Sequence, residues 1–235
     1  MRQTFKIDGI IMRLFIPKNE KTKYKDREDA GEILAEILSK NYKNKNTVVL
    51  AIPNGGVVVA LPIAKKLNSL FGLIVVRKIH IPWDSEAGFG AVSYDGTVIL
   101  NEALLPSLGL SEEEINSLAE EELKEIRRRM EFYGAKKLPN LEARTVFLVD
   151  DGLASGFTMI SAAQTVRKKN PKEIIVSVPT ASGSAIKRVE KYVDKIICPD
   201  IRTGFIFAVA DAYENWYDLK DEDVVKLLTI ARDKQ

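Results

Sequence analysis

The stretch from Leu148 to Thr158 reads LVDDGLASGFT. Asp150 and Asp151 stand side by side where an apolar run ends, and a loop of small and hydroxyl-bearing residues follows at once. If a helix starts there, the N–H groups of its first turn lack partners within the helix and can converge on an anion. Gly152 and Gly156 let backbone approach closely, and Ser155 and Thr158 add hydroxyl donors. The candidate phosphate cradle is therefore Gly152, Leu153, Ala154, Ser155, Gly156, Phe157 and Thr158. Two carboxylates would repel a bare phosphate. They suit hydroxyl groups, or a magnesium ion attached to them, and a sugar phosphate satisfies both halves of the stretch. The plain alternative is a surface turn that merely tolerates acids and glycines. A Walker A loop is excluded because no Gly-Lys-Ser/Thr follows, and GxGxxG is absent.

Such a loop needs a strand before it and a helix after it, and the flanking residues predict both. TVFLVD (145–150) reads as a buried strand and SGFTMISAAQTVRKKN (155–170) as a helix. Upstream, DREDAGEILAEILSKNYK (26–43) spaces Ala30, Ile33, Leu34, Ile37 and Leu38 helically, with Asp26 able to cap it. TVVLAI (47–52) is a β-branched run of the kind buried on both faces, PNGG breaks it, and VVVALPIAKKL (57–67) reads as a helix. LFGLIVVRKI (70–79) reads as the next strand, and GAVSYDGTVILN as a hairpin turning at Asp95-Gly96. Residues 111–134 form a long helix with Ser111 and Glu114 as a capping box, acids in its first turn and Arg127 to Arg129 in its last. The stripe EEELKEIRRR reads as a solvated face. KEIIVSVPTA (172–181) and VDKIICPD (193–200) read as strands around a short helix, and DEDVVKLLTIARD as a last helix after an irregular aromatic segment, 201–219. Strands alternating with helices predict an α/β fold with a mostly parallel twisted sheet, in one domain over 1–235.

Composition narrows the function. Lys and Arg total 35 against 33 Asp and Glu, too even for a nucleic-acid surface, and no basic cluster interleaves with aromatics. No run of about 20 apolar residues predicts a membrane span, and the N-terminus lacks the pattern of a signal peptide. A single histidine, His80, and a single cysteine, Cys198, exclude multi-histidine and thiolate metal sites and an internal disulfide. The lone cysteine fits a reducing compartment, and a cytoplasmic protein is expected.

The stretch VFLVDDGLASGFT resembles the phosphoribosyl-pyrophosphate-binding motif of type I phosphoribosyltransferases: an apolar strand, two acids, then a small-residue loop with hydroxyls. Phe157 stands where a smaller residue is commoner, either narrowing the loop mouth or packing outward. The resemblance covers roughly 24–230 and extends to the "D-R-x-x-A-G" helix of a bacterial and archaeal group, here Asp26, Arg27, Ala30 and Gly31. Residues 1–23 lie outside it as an N-terminal extension. The resemblance implies that Asp150 and Asp151 hold the ribose hydroxyls and that Asn54, Gly55 and Gly56 face pyrophosphate. Asn54 stands where the group usually has Arg. It implies too that one or both of Arg77 and Lys78 face the phosphates. Because adjacent strands of a parallel sheet bring their carboxyl ends together, this pair is also the nearest candidate to replace the missing cation beside Asn54. Residues 80–101 resemble a lid and hairpin, where Pro82, Glu86, Gly90, Ala91 and Val92 match. Trp83 there fits a lid aromatic or a contact between copies. Residues 201–219 resemble the hood that receives a nucleobase, with Phe207, Tyr213, Trp216 and Tyr217 as stacking rings and Asp211 as an acceptor; core packing is the alternative for each.

The expected activity is transfer of the 5-phosphoribosyl group from phosphoribosyl pyrophosphate to a nitrogenous base, with a purine favoured, releasing pyrophosphate. Magnesium is expected to arrive with the substrate rather than on side chains, Asp150 and Asp151 being the candidates for direct ligation. A homodimer is expected, with no nucleic-acid or membrane partner. The rival is a regulator of the same fold that binds the sugar pyrophosphate without turnover. Asn54 favours it, and the lack of a DNA-binding domain or basic face counts against it.

Overall fold

Five consecutive buried residues at Thr47–Ala51 and five more at Thr145–Val149 carry the architecture. A computed structural model describes residues 3–7 and 10–14 as backbone, and 24–135, 137–204 and 207–232 apart from the side chains of Ser85 and Glu86. The side chain of Glu86 in the lid pattern, residues 205–206 of the hood and the side chains of the N-terminal extension therefore lie outside the described residues.

In chain order the elements are β1 (Gln3–Ile7), β2 (Ile10–Leu14), α1 (Arg27–Tyr42), β3 (Thr47–Ala51), α2 (Gly55–Leu67), β4 (Leu70–Leu73), β5 (Val76–Ile81), β6 (Asp84–Ser93), β7 (Val98–Leu100), α3 (Leu105–Leu108), α4 (Glu112–Phe132), β8 (Thr145–Val149), α5 (Phe157–Arg167), β9 (Glu173–Ser177), β10 (Thr180–Ser182), α6 (Gly183–Val189), β11 (Lys195–Ile197), β12 (Asp200–Arg202) and α7 (Asp221–Arg232). The main sheet is parallel, in the order β11-β9-β8-β3-β4. Because side chains alternate along a strand, it carries two cores. Val48, Leu50, Val146 and Leu148 face α5 and α6. Val49, Ala51, Phe147 and Val149 face α1, α2, α4 and α7.

The chain leaves β3 toward β4 on one side and β8 toward β9 on the other, so the strand order reverses between β3 and β8. In an open α/β sheet this is where the connections diverge and leave a crevice beyond the carboxyl ends. Ala51 pairs with Val149 at that boundary, which brings the PNGG turn beside Asp150.

Three expected strands are divided. The run 70–79 forms β4 at the edge of the main sheet, then β5 in a separate antiparallel sheet, β5-β6-β7. Its apolar character reads the same in either sheet, so composition could not reveal the break at Ile74–Val75. The runs 172–181 and 193–200 are interrupted near Pro179 and Pro199, which cannot donate to a ladder, and their continuations β10 and β12 pair with each other. Elsewhere the local signals match the structure. Asp26 accepts from Asp29 N, Ser111 and Glu114 form the capping box, and Gly96 turns the β6–β7 hairpin with φ of 82°.

Candidate active site

The two loops at the strand reversal are packed backbone to backbone. A Cβ added at Gly56 would lie 2.7 Å from the Val149 carbonyl oxygen and 3.0 Å from Asp150 Cα. One added at Gly55 would lie 1.8 Å from Asp151 Oδ2. Here glycine is required by closeness rather than by a left-handed backbone. The Pro53–Asn54 peptide is cis, and Ile52 N donates to the Val149 carbonyl at 2.9 Å.

The adjacent acids sit in different surroundings. Asp150 Oδ1 accepts from the Asp151 amide at 2.8 Å. Burial, and after it the charge of Asp151, pushes the Asp150 carboxyl well above the usual carboxylate range. Asp151 Oδ2 instead accepts from Arg27 Nε at 2.7 Å. Arg27 is 3% exposed, and it donates a second bond to the Tyr217 carbonyl at 2.8 Å. Its guanidinium carbon lies 3.8 Å from the Trp216 ring centroid. Sequence reasoning misses the role of this arginine; its only signal there is its place in the D-R-x-x-A-G helix.

The cradle residues divide by what their backbone does. Leu153 gives its amide to the Thr180 carbonyl and accepts from Ser182 N, and its side chain is buried. That corrects its expected place among the phosphate donors: it anchors the loop to β10. Ser182 Oγ donates to the Ala154 carbonyl at 2.7 Å, and the Arg188 guanidinium donates to the Ser155 carbonyl. Gly156, with φ of +86°, precedes the first residue of α5, so Ser155 and Thr158 flank a helix N-terminus. Ala154 and Ser155 are exposed and Thr158 is half-buried. Phe157 neither points outward nor stands in the mouth. It is 8% exposed, packs into the core of α5 and α6 and lies under Arg188, 4.9 Å from guanidinium carbon to ring centroid.

Asn54 is held from the far side of its loop. Its Nδ2 donates to the Leu219 carbonyl at 2.8 Å and to Asp221 Oδ1 at 3.2 Å. Its Oδ1 accepts from Tyr133 Oη at 3.0 Å. It lines a surface cleft of about 330 Å³ with Arg128, Arg129, Lys220 and Asp221. The expectation that Arg77 and Lys78 neighbour this loop through adjacent parallel strands is corrected. β4, not β5, lies beside β3; Arg77 pairs with Glu122 of α4, and the Lys78 stem runs against Gly88. The cations that line the cleft with Asn54 are Arg128, Arg129 and Lys220. Nor is the α4 stripe simply solvated, since Arg128 and Arg129 both bind Glu125 and Asp221, and the hydrogen bond from Arg128 holds the Glu125 carboxyl down at about 2. Asn54→Ala strands the Leu219 carbonyl, while the Tyr133 hydroxyl keeps its bond to Asp221 Oδ1 at 2.6 Å, so urea unfolding should show a loss of about 1–3 kcal/mol. An unchanged midpoint would mean that these ties do not contribute.

The hood segment reaches the same crevice. Tyr213 Oη donates to the Asp151 carbonyl at 2.5 Å, and Val209 fills the space a side chain on Gly152 would need. Tyr213 and Tyr24 are buried, which assigns them to packing, whereas Trp216 and Tyr217 are 38% and 50% exposed. Asp211 is exposed on the turn 209–212.

The family profile described as "Phosphoribosyl transferase domain" matches residues 21–214. Two Mycobacterium tuberculosis proteins, named "Putative phosphoribosyl transferase Rv0571c" and "Putative phosphoribosyl transferase MT0597", are each 34% identical over 210 residues, covering 88% of this chain. The chain spans about half the length of these curated relatives, 47% in each case. Among solved structures, the crystal structure of TT1426 from Thermus thermophilus superposes with a TM-score of 0.72 at 31% identity, covering 88% of this chain and 98% of that one.

Proposed function

This chain belongs to the phosphoribosyl transferase domain family, and from that premise we propose that it is a pentosyltransferase. It moves the 5-phosphoribosyl group from phosphoribosyl pyrophosphate to a nitrogenous base, a purine by preference, and releases pyrophosphate. The observation that carries this reading is the meeting of two glycine-bearing loops at the strand reversal, with two unequal acids beside a helix N-terminus.

In this reading the amides and hydroxyls at the start of α5 receive the 5-phosphate. Asp151 is held by Arg27 and accepts from a ribose hydroxyl, and Asp150 takes the neighbouring hydroxyl. The backbone of Asn54 to Gly56 faces pyrophosphate. Trp216 offers a ring to the acceptor and Asp211 an acceptor for its N–H. The bond from the anomeric carbon to pyrophosphate breaks with its electron pair leaving on oxygen, and a ring nitrogen of the base bonds to that carbon as it sheds its proton. The chain's contribution is placement and charge stabilisation, with no covalent attack by a side chain.

Magnesium fits such a site through the substrate. A small hard cation takes one or two carboxylates with phosphate oxygens, and the acid pair supplies two carboxylates. Among the described residues no cluster of three or more His, Cys, Asp or Glu side chains suits a metal. When bound, the ion supplies positive charge to the pyrophosphate as it departs. The reading carries with it a cytoplasmic homodimer. No described helix is long and apolar enough to cross a membrane.

The test is incubation with phosphoribosyl pyrophosphate, magnesium and a panel of bases, with products identified by mass. A nucleotide together with pyrophosphate is the expected result. Calorimetric binding of the sugar pyrophosphate without turnover of any base would favour the regulator instead, and absence of binding would overturn both.

A further inference from the structure

We propose that Arg27 is a positioning residue that locks Asp151 to the acceptor-side segment 213–217, so that events at the ribose acids are felt at Trp216. The proposal rests on the reading above for the identity of the ligand, but its physical core does not need one. Four separate parts of the chain meet at this guanidinium. It opens α1, bonds the acid after β8, bonds the carbonyl of Tyr217 and covers one side of Trp216. The PNGG turn closes the fourth side, since a Cβ on Gly55 would stand 2.9 Å from Arg27 Nε. Tyr213 adds a parallel tie to the same acid through the Asp151 carbonyl.

A cation this deeply buried is costly to strip of its carboxylate, so Arg27 and Asp151 reorient as a unit. With Oδ2 held, Asp151 presents Oδ1 to a ribose hydroxyl. Any pull on that carboxylate is passed to Tyr217 and to the stack on Trp216. Arginine is required because its planar fork bonds carboxylate and carbonyl together while its face lies on a ring. Lysine keeps the charge but cannot do all three. A buried pair that served only stability would need neither the ring nor the Tyr217 carbonyl.

The chain has two tryptophans, so a Trp83→Phe background makes Trp216 the sole reporter. The first arm uses no ligand and compares that protein with versions also carrying Asp151→Asn or Arg27→Lys, with circular dichroism confirming the fold. Both added substitutions should shift Trp216 emission to the red and increase its quenching by acrylamide. If the folded Arg27→Lys protein shows neither change, the lock does not exist.

The second arm titrates phosphoribosyl pyrophosphate with magnesium, following heat and emission together. The background protein should change emission in step with binding. Arg27→Lys should bind at least about tenfold more weakly, the range for a charge-assisted contact, with the emission change lost. An Arg27→Lys protein with undiminished affinity and an intact emission change would overturn the proposal. If the background protein binds no sugar pyrophosphate at all, the functional reading fails, while the first arm still decides the lock.

Discussion

Replacing Asp150 and Asp151 by Asn should affect stability in opposite directions while both changes weaken sugar-pyrophosphate binding. Each carboxylate that accepts from a ribose hydroxyl contributes about 1.5–3 kcal/mol. The double variant should therefore bind about a hundred- to ten-thousandfold more weakly by titration calorimetry. The stability contrast comes from the surroundings. Asp150 has its carboxyl raised above the ordinary value of 3.8 by burial and by its neighbour's charge. The folded state thus holds that proton to higher pH than the unfolded chain does. The acid costs nothing below the unfolded value, and its penalty grows as pH rises through the folded one. Asp150→Asn should accordingly raise the unfolding midpoint at neutral pH, with the gain vanishing in acid, the stability–activity trade-off typical of a functional site. Asp151→Asn instead leaves Arg27 buried beside a neutral amide and should cost about 3 kcal/mol. Equal effects of the two changes on the midpoint would show that the acids share one environment and would sink the assignment of separate roles.

Gly55→Ala should be severe for a change of one methyl group. The new Cβ would fall 1.8 Å from Asp151 Oδ2 and 2.9 Å from Arg27 Nε. A long flexible chain could swing aside, but Asp151 is short and pinned by Arg27 at 2.7 Å. Either the loop shifts, at about 1–3 kcal/mol for overpacking, or the ion pair opens at about 3 kcal/mol. A loss near 3 kcal/mol lowers Tm by roughly 6–12 °C in a chain of this size. Binding of the sugar pyrophosphate should fall with it, since both routes move Asp151. Gly183→Ala is the matched control, because its nearest neighbour would be an ordinary 3.6 Å away. If the Gly55 variant unfolds together with the control, the close approach of the two loops is not as described.

What could be read in advance was what neighbouring residues decide among themselves. Short apolar runs bounded by turn signals, TVVLA and TVFLV, read as buried strands from their own residues and neighbours. Ser111 and Glu114 cap a helix without outside help, and LVDDGLASGFT carries strand end, acids, glycines and helix start in one contiguous piece. The strand division at Ile74–Val75 was hidden because an apolar residue is equally suited to either sheet. The prolines at 179 and 199 were visible, but the pairing of the strands beyond them was not.

The amino-acid sequence by itself thus determined the parallel α/β layout, the two glycine-bearing loops and the acid pair. Only the tertiary structure decided which side chains those acids and loops meet. Arg27 lies 124 positions from Asp151 and 190 from Tyr217, and Asn54 lies 165 from Leu219. Arg128, Arg129 and Lys220 replaced Arg77 and Lys78 beside the PNGG loop because β5 left the main sheet and α4 packed back across α7. Local patterns set backbone conformation and the buried face through short-range sterics and hydration. A partner more than a hundred residues away is set by how whole elements pack to bury those faces, and no short window of residues records that.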